Sequence, residues 1–530
     1  MAEDPQPHRT GAQESVTAAP RGLTQRALGG MLWTFSGTGV QTVVQLLVIM
    51  ALGRLLTPAE FGIMGAATVI IAFSQIISQV GVGPAIVQRR ELESTHVRAA
   101  FTISCVLGTT LGVAVWLAAP ALADFYRIPA LEAVLRGIAL LFPIDGLNTV
   151  AESLLTRHLR FRLYVAIDLV SYVLGYACVG VVLAWQGYGV WALVAANLSQ
   201  VTLRTIGMYA ATRHPVWPSF NLRASRDLLR FGFGHSLAQV GTVLSQQGDN
   251  LVVGRWLGAA ALGIYGRAYS LMVMPATVFG KIVNRVLFPV MAQVQHQPER
   301  LAGAYERALA IVALVSLPVS AFLWVVAPEF IPVLLGPNWT AVVLPFRLFT
   351  FGLLFRMSGR ISDACTKAAG AVYARALLQG VYAAMVVVGA LIGQRWGIGG
   401  VAVAVSIAMG INWLSMAWLS RSVTGLPWTR FARAHAPAAL LATLIGGSTA
   451  VVAHAGRAAH LGKVPLLLAA GLTAVAVTFL AGKLQPAMFL GPHGRWAFKR
   501  AEELLRRGRG LARAARAGRS LAPAGRANPK

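Results

Sequence analysis

Long apolar stretches, separated by short polar segments rich in arginine, run from about residue 30 to about residue 482. A bilayer core takes about 20 consecutive apolar residues per helix, so the pattern predicts fourteen membrane-spanning helices. The first eight fall at about 30–53, 61–83, 99–120, 132–155, 163–185, 189–211, 229–254 and 261–284. The other six fall at about 304–326, 341–362, 371–393, 398–420, 434–453 and 464–482. The first stretch is a full span long and reads as a retained helix rather than a cleaved leader. This is an all-α polytopic membrane protein.

Within that pattern one phrase recurs. Gly53-Arg54-Leu55-Leu56-Thr57-Pro58-Ala59-Glu60-Phe61-Gly62-Ile63-Met64-Gly65 returns 201 residues later as the segment Gly254 to Gly266, with seven of thirteen positions identical. Each copy joins two apolar stretches. Ala119-Pro120 and Ala327-Pro328 form a weaker echo, at the ends of spans three and nine. The chain therefore divides into a tail (1–28), an N-lobe of six helices (29–212), a linker (213–228), a C-lobe of six helices (229–420), two further helices (421–490) and a basic tail (491–530). Duplicated halves packed together are how many carriers build a central site, so transport is the leading functional class. The first tail reads as disordered, and Trp496, Phe498, Ala501 and Leu505 among arginines suggest a helix lying on anionic lipid, with a frayed tail, disordered beyond about Gly508, as the alternative.

The net charge of +27 would ordinarily suggest nucleic acid. Sorting the basic residues by loop gives another explanation. With the N-terminus inside, and with charges toward the cytoplasmic ends of spans counted with their loops, 36 of the 46 Lys and Arg fall on the cytoplasmic side, 6 on the other, and four (Arg136, Arg204, Arg267, Arg347) remain within spans. That asymmetry is the positive-inside pattern, and it puts both termini in the cytoplasm. No nucleic-acid partner is expected. The three cysteines (Cys105, Cys178, Cys365) have unrelated spacings and read as small apolar residues. No metal-ligand cluster or catalytic signature stands out, so no catalytic residue, metal or cofactor is expected. The glycines of Gly108-x-x-x-Gly112 and of Gly397 to Gly400 read as close helix contacts.

An ionisable group at the bilayer centre costs about 2.5–3.5 kcal/mol or more unless paired or hydrated, so in-span charges are the first functional candidates. Asp249 lies nine residues before the turn at Gly258 and Arg267 nine after it, at similar depth. They are read either as an ion pair or as a gate or coupling-ion site. Thr34, Thr38, Gln41 and Gln45 form a stripe on span one, with Gln75 and Gln79 on span two and Gln246 equivalent to Gln45. The stripe reads as the lining of a hydrated cavity, with helix-to-helix hydrogen bonding as the alternative. Arg136, Arg204 and Arg347 have Asp145, Glu152 and Asp168 as available partners. Arginine's planar fork suits phosphate, which leans toward an anionic cargo, with structural salt bridges as the competing account.

Several phrases taken together resemble the bacterial polysaccharide flippases, the O-antigen and exopolysaccharide exporters of the multidrug/oligosaccharidyl-lipid/polysaccharide superfamily. They are Gly53-Arg54 to Phe61-Gly62, Asp249-Asn250, Gly254-Arg255, Leu262 to Tyr265, Phe288-Pro289, Leu317-Pro318, Ala327-Pro328-Glu329 and Gly336 to Trp339. The resemblance covers about residues 25–425. It implies two six-helix lobes around a cavity lined by spans one, two, seven and eight. It also implies an inner-membrane protein that moves an undecaprenyl-diphosphate-linked oligosaccharide to the periplasmic leaflet. Ion-coupled alternating access (H+ or Na+) follows, with membrane lipids, glycan polymerase and assembly proteins as partners. On that reading Arg267 and Arg204 meet the diphosphate, and Gln41, Gln45, Gln246 and Gln75 the sugar. Asp249, Asp145 and Asp168 are candidates for coupling or gating. A multidrug antiporter of the same fold, a membrane glycan polymerase or ligase, and a non-transporting assembly scaffold remain as alternatives.

Overall fold

The computed structural model describes residues 39–496, apart from residues 40, 79–81, 90, 216, 218–221 and 284–286. The N-terminal tail, the start of the first span with Thr34 and Thr38, part of the linker and the proposed surface helix beyond Trp496 lie outside the described residues. Among the described residues every regular element is helical.

The first lobe comprises α1 (Gln41–Leu55), α2 (Pro58–Ser78), α3 (Val82–Gln88), α4 (Ser94–Tyr126), α5 (Ala130–Ile138), α6 (Leu141–Arg157), α7 (Phe161–Tyr172), α8 (Val181–Trp185) and α9 (Val190–Thr212). A π-helical turn, Val173–Gly180, joins α7 to α8. The second lobe comprises α10 (Leu222–Ile282), α11 (Phe288–Gln293), α12 (Pro298–Leu335), α13 (Val343–Thr350), α14 (Gly352–Ala368), α15 (Val372–Gly393) and α16 (Gly397–Thr424). Then come α17 (Trp428–Ala458), α18 (Lys463–Leu484) and α19 (Pro486–Phe489).

Eight described helical stretches are long and apolar enough to cross a membrane, or nine with α13 and α14 taken as one span bent by 43°. Two of these stretches fold back on themselves. In α10 the break is Gly258, at φ 86° and ψ −179°. Tyr265 donates to Asp249 across 2.7 Å, although sixteen residues of straight helix would hold them about 24 Å apart. α15 and α16 likewise double back, with Gly393 packed against the Gly400 backbone.

Tight helix contacts rest on small residues, as expected where lipid tails remove the hydrophobic drive between helices. A methyl group on Gly108 would sit 2.5 Å from the Phe142 carbonyl oxygen, and one on Gly112 2.8 Å from that of Ala139. The Gly108-x-x-x-Gly112 face of α4 thus lies directly on α6 and the turn before it. The first of the two extra helices, α17, is fastened to the second lobe by charge. Arg457 on α17 grips Glu329 on α12 with two bonds, at 2.8 and 2.9 Å. Near the other end of α12, Glu306 meets Arg430, and His493 at 3.6 Å.

The repeated phrase forms the seam between the lobes. Thr57 caps α2 through its backbone N–H to Glu60, at 2.6 Å, with Pro58 in the first turn. Across the seam, Gly62 approaches the Ala259 carbonyl and Gly263 the Pro58 carbonyl, each closer than any side chain would allow. These two contacts exchange under the 201-residue repeat. The Gly-Arg pairs exchange in the same sense. Gly53 packs on Leu335 at the end of α12, and Gly254 on Tyr126 at the end of α4. Arg54 donates to the Val333 carbonyl at 2.9 Å, while Arg255 lies over the Phe125 ring at 5.4 Å. Each turn therefore closes on the opposite lobe. Trp339, fully buried, adds a 2.6 Å bond from its indole N–H to the Gly53 carbonyl.

Candidate functional site

Helical spacing brings Gln41 and Gln45 to one face of α1, and that face borders a cavity of about 410 Å³. Tyr172, Tyr176 and Asn197 line it from the first lobe, and Arg267 enters it from α10 of the second. Gln41 donates to Asp168 at 2.9 Å, tying α1 to α7. Asn197 donates to the Tyr176 hydroxyl at 3.2 Å. The Tyr172 and Tyr176 rings stack with centroids 5.0 Å apart, on the wall where the chain passes into the π-helical turn. That widened turn is packed tightly behind, since a methyl on Gly175 would sit 2.8 Å from the Ala196 carbonyl oxygen. π-Bulges recur at functional sites because they re-aim side chains without ending a helix.

Arg267 is the charge in this cavity. Its guanidinium lies over the Phe61 ring at 4.1 Å, and among the described residues it has no carboxylate partner. Asp249 and Arg267 do not pair. They share a depth, as their equal spacing from Gly258 requires. However, the side chain facing Asp249 is Tyr265, and two residues along a helix turn Arg267 about 200° away. Asp249 is 1% exposed and also accepts the Asn250 backbone N–H at 2.9 Å.

The other candidates disperse. Arg204 donates to Asp145 at 3.0 Å, a salt bridge between α9 and α6 away from the cavity lining. Glu152 accepts from Asn148 and Tyr164, each at 3.0 Å. Arg136 pairs with Glu132 at 2.8 Å, and Arg347 donates to the Trp324 carbonyl at 2.9 Å. Gln246 is exposed and Gln75 half-buried on α2, and neither lines the cavity. The repeat pairs Gln45 with Gln246, but of the two Gln45 alone lines this cavity.

Nothing local in the sequence marks Phe61, Tyr172 or Tyr176 as facing a cavity, since aromatics are ordinary in apolar stretches; Asn197, an amide within span six, carries the in-span polarity that marks such a position. Arg356 and Arg360, which count among the 36 cytoplasmic charges, both lie on α14, with Arg356 over the Tyr269 ring at 4.8 Å. Two larger hollows, of about 840 and 870 Å³, are lined almost wholly by apolar side chains, with Lys483 the one charged lining residue. They offer far fewer hydrogen-bonding groups to a sugar than the cavity at Arg267 does.

The fold and the polar cavity between lobes define a multi-pass membrane protein of transporter architecture. Residues 51–344 match the family described as polysaccharide biosynthesis protein, and the chain belongs to that family. The chain is 27% identical over 327 residues to the teichuronic acid biosynthesis protein TuaB of Bacillus subtilis, a match covering 61% of this chain and 67% of TuaB. It is 30% identical over 290 residues to the succinoglycan biosynthesis transport protein ExoT of Rhizobium meliloti, covering 54% of this chain and 58% of ExoT. It is 25% identical over 339 residues to the lipopolysaccharide biosynthesis protein WzxC of Escherichia coli, covering 64% of this chain and 69% of WzxC. The fold is that of the lipid II flippase MurJ in an inward closed conformation, with TM-score 0.69 at 12% identity, covering 86% of this chain and 99% of MurJ. A multidrug resistance MATE family transporter in an inward-facing conformation matches with TM-score 0.58 at 19% identity, covering 73% of this chain and 95% of the transporter.

Proposed function

We propose that this protein flips a polyprenyl-diphosphate-linked oligosaccharide from the cytoplasmic to the periplasmic leaflet of a bacterial inner membrane, with both termini in the cytoplasm. The observation that carries this reading is Arg267, a guanidinium without a carboxylate partner among the described residues, in a cavity where amide and phenol groups alternate with apolar side chains. Arginine presents paired donors to phosphate oxygens, and Gln45 and the stacked tyrosines offer hydrogen bonds and ring faces to sugar. A cationic drug would meet repulsion at the same place. The polyprenyl chain stays in hydrocarbon while the head group crosses, which avoids the cost of burying unpaired polar groups in lipid. Coupling to an H+ or Na+ gradient is assigned to the buried Asp249.

The test is reconstitution with fluorescent lipid-linked oligosaccharide and a glycosidase outside the vesicles. Wild-type protein is expected to expose the glycan under an ion gradient, Arg267→Gln to lose most of that activity, and Asp249→Asn to lose its gradient dependence. Failure of wild-type protein to expose glycan under either gradient would remove the central claim.

A further inference from the structure

Arg267 is joined to the lobe seam through two aromatic rings. Its guanidinium rests on the face of Phe61 at 4.1 Å. The Phe61 ring meets Trp339 edge-on at 5.3 Å. Trp339 in turn donates to the Gly53 carbonyl of the other lobe at 2.6 Å. Phe61 is 5% exposed and stands next to Gly62, which makes one of the two glycine contacts of the seam. Phe61 and Gly53 belong to the first lobe, Arg267 and Trp339 to the second, so the sequence of contacts crosses the seam repeatedly.

Resting on the reading of Arg267 as an anion contact, we propose that Phe61 is a positioning residue through which an anion on Arg267 loosens the seam. A guanidinium is held on a ring face by its charge, and the hold depends on that charge being unshared. An oxyanion in the plane of the guanidinium offsets the charge and weakens the contact. The seam loses one of its cross-lobe attachments, and Phe61 is free to leave Trp339. Losing the cation–π contact shifts the equilibrium by about two- to thirtyfold, the ratio equivalent to ~0.5–2 kcal/mol. Linkage makes the effect reciprocal, so a seam already loosened binds the anion more tightly by the same factor.

Inorganic pyrophosphate is the probe, added to full-length protein in nanodiscs. Binding is measured by calorimetry, and opening by the distance between spin labels at Tyr188 and Trp396. These two residues are 57% and 70% exposed, on the turns before α9 and α16. The labelled protein carries alanine at Cys105, Cys178 and Cys365.

In wild-type protein pyrophosphate is expected to lengthen the Tyr188–Trp396 distance. Phe61→Leu is expected to show part of that lengthening without pyrophosphate and to bind it about two- to thirtyfold more tightly, while Phe61→Tyr behaves as wild type. A Phe61→Leu protein with the wild-type distance and equal or weaker binding overturns the proposal. If wild-type protein does not bind pyrophosphate, the assignment of Arg267 to an anion fails instead. The anion-free distance in Phe61→Leu then still judges the role of Phe61 in the seam, with an unchanged distance counting against it.

Discussion

Replacing Gly62 and Gly263 together by alanine tests whether the repeated phrase closes the seam. Both glycines are helical, and alanine in an open helix interior gains about 1 kcal/mol over glycine, so without the cross-lobe contact the double variant would be more stable. The structure gives the opposite sign. Each added methyl would overlap a backbone carbonyl, of Ala259 and of Pro58, and backbone cannot rotate aside as a side chain can. Overpacking of this kind costs about 1–3 kcal/mol. Because the strain exists only while the lobes are in contact, it raises the population of the open seam by about 5- to 150-fold. Hydrogen–deuterium exchange read by mass spectrometry reports this directly at the amides of 53–62 and 254–263. Exchange there is expected to accelerate in the double variant, while the 104–112 face of α4, packed within its own lobe, is unchanged. Slower exchange at the two turns, or an unchanged rate with a raised melting temperature, would refute the argument that these glycines hold the lobes together.

Three further outcomes follow from the polar contacts. Arg457→Ala leaves Glu329, at 8% exposure, without its two donors. The cost is about 1–2 kcal/mol after discounting for the half-exposed arginine, seen as a lower melting temperature that Arg457→Lys partly restores. Arg204→Ala and Asp145→Ala should each destabilise, and the double variant should cost less than their sum, by a coupling of about 0.5–3 kcal/mol. Flipping at wild-type rate in the double variant would confirm that Arg204 is no substrate contact. His214 lies after α9 against Phe101 and Tyr209, and burial holds its imidazole below the ordinary value. The folded state then binds fewer protons than the unfolded one, so the stability His214 contributes is present above the unfolded value of 6.5 and is lost as pH falls below it. Melting temperatures at pH 7.5 and 5 should diverge less in His214→Phe than in wild type.

The helical architecture was legible because apolar run length is set by bilayer thickness; that the two copies of the repeated phrase pack on each other was not. The hairpin at Gly258 was legible because the second copy of the repeat joins two apolar stretches there. The site was legible only in part. Arg267, Gln41 and Gln45 share one cavity, as in-span polarity suggests. Asp249 has the right depth but the wrong azimuth, which depends on helix rotation that no spacing from a turn fixes. Arg204 and Asp145 are far apart in sequence and meet only because α6 and α9 pack. Arg356 and Arg360 lie in the charged stretch of α14, which ends at Ala368, and hydropathy does not separate such a helix end from a loop.

The exchanged contacts of the seam have one more implication. A patch that meets its own counterpart reciprocally is what two identical subunits form around a two-fold axis. Here that axis lies inside one polypeptide, so Gly53 answers to Leu335 and Gly254 to Tyr126, not each to its own repeat. Change at either turn is therefore constrained by a helix end in the other half of the gene.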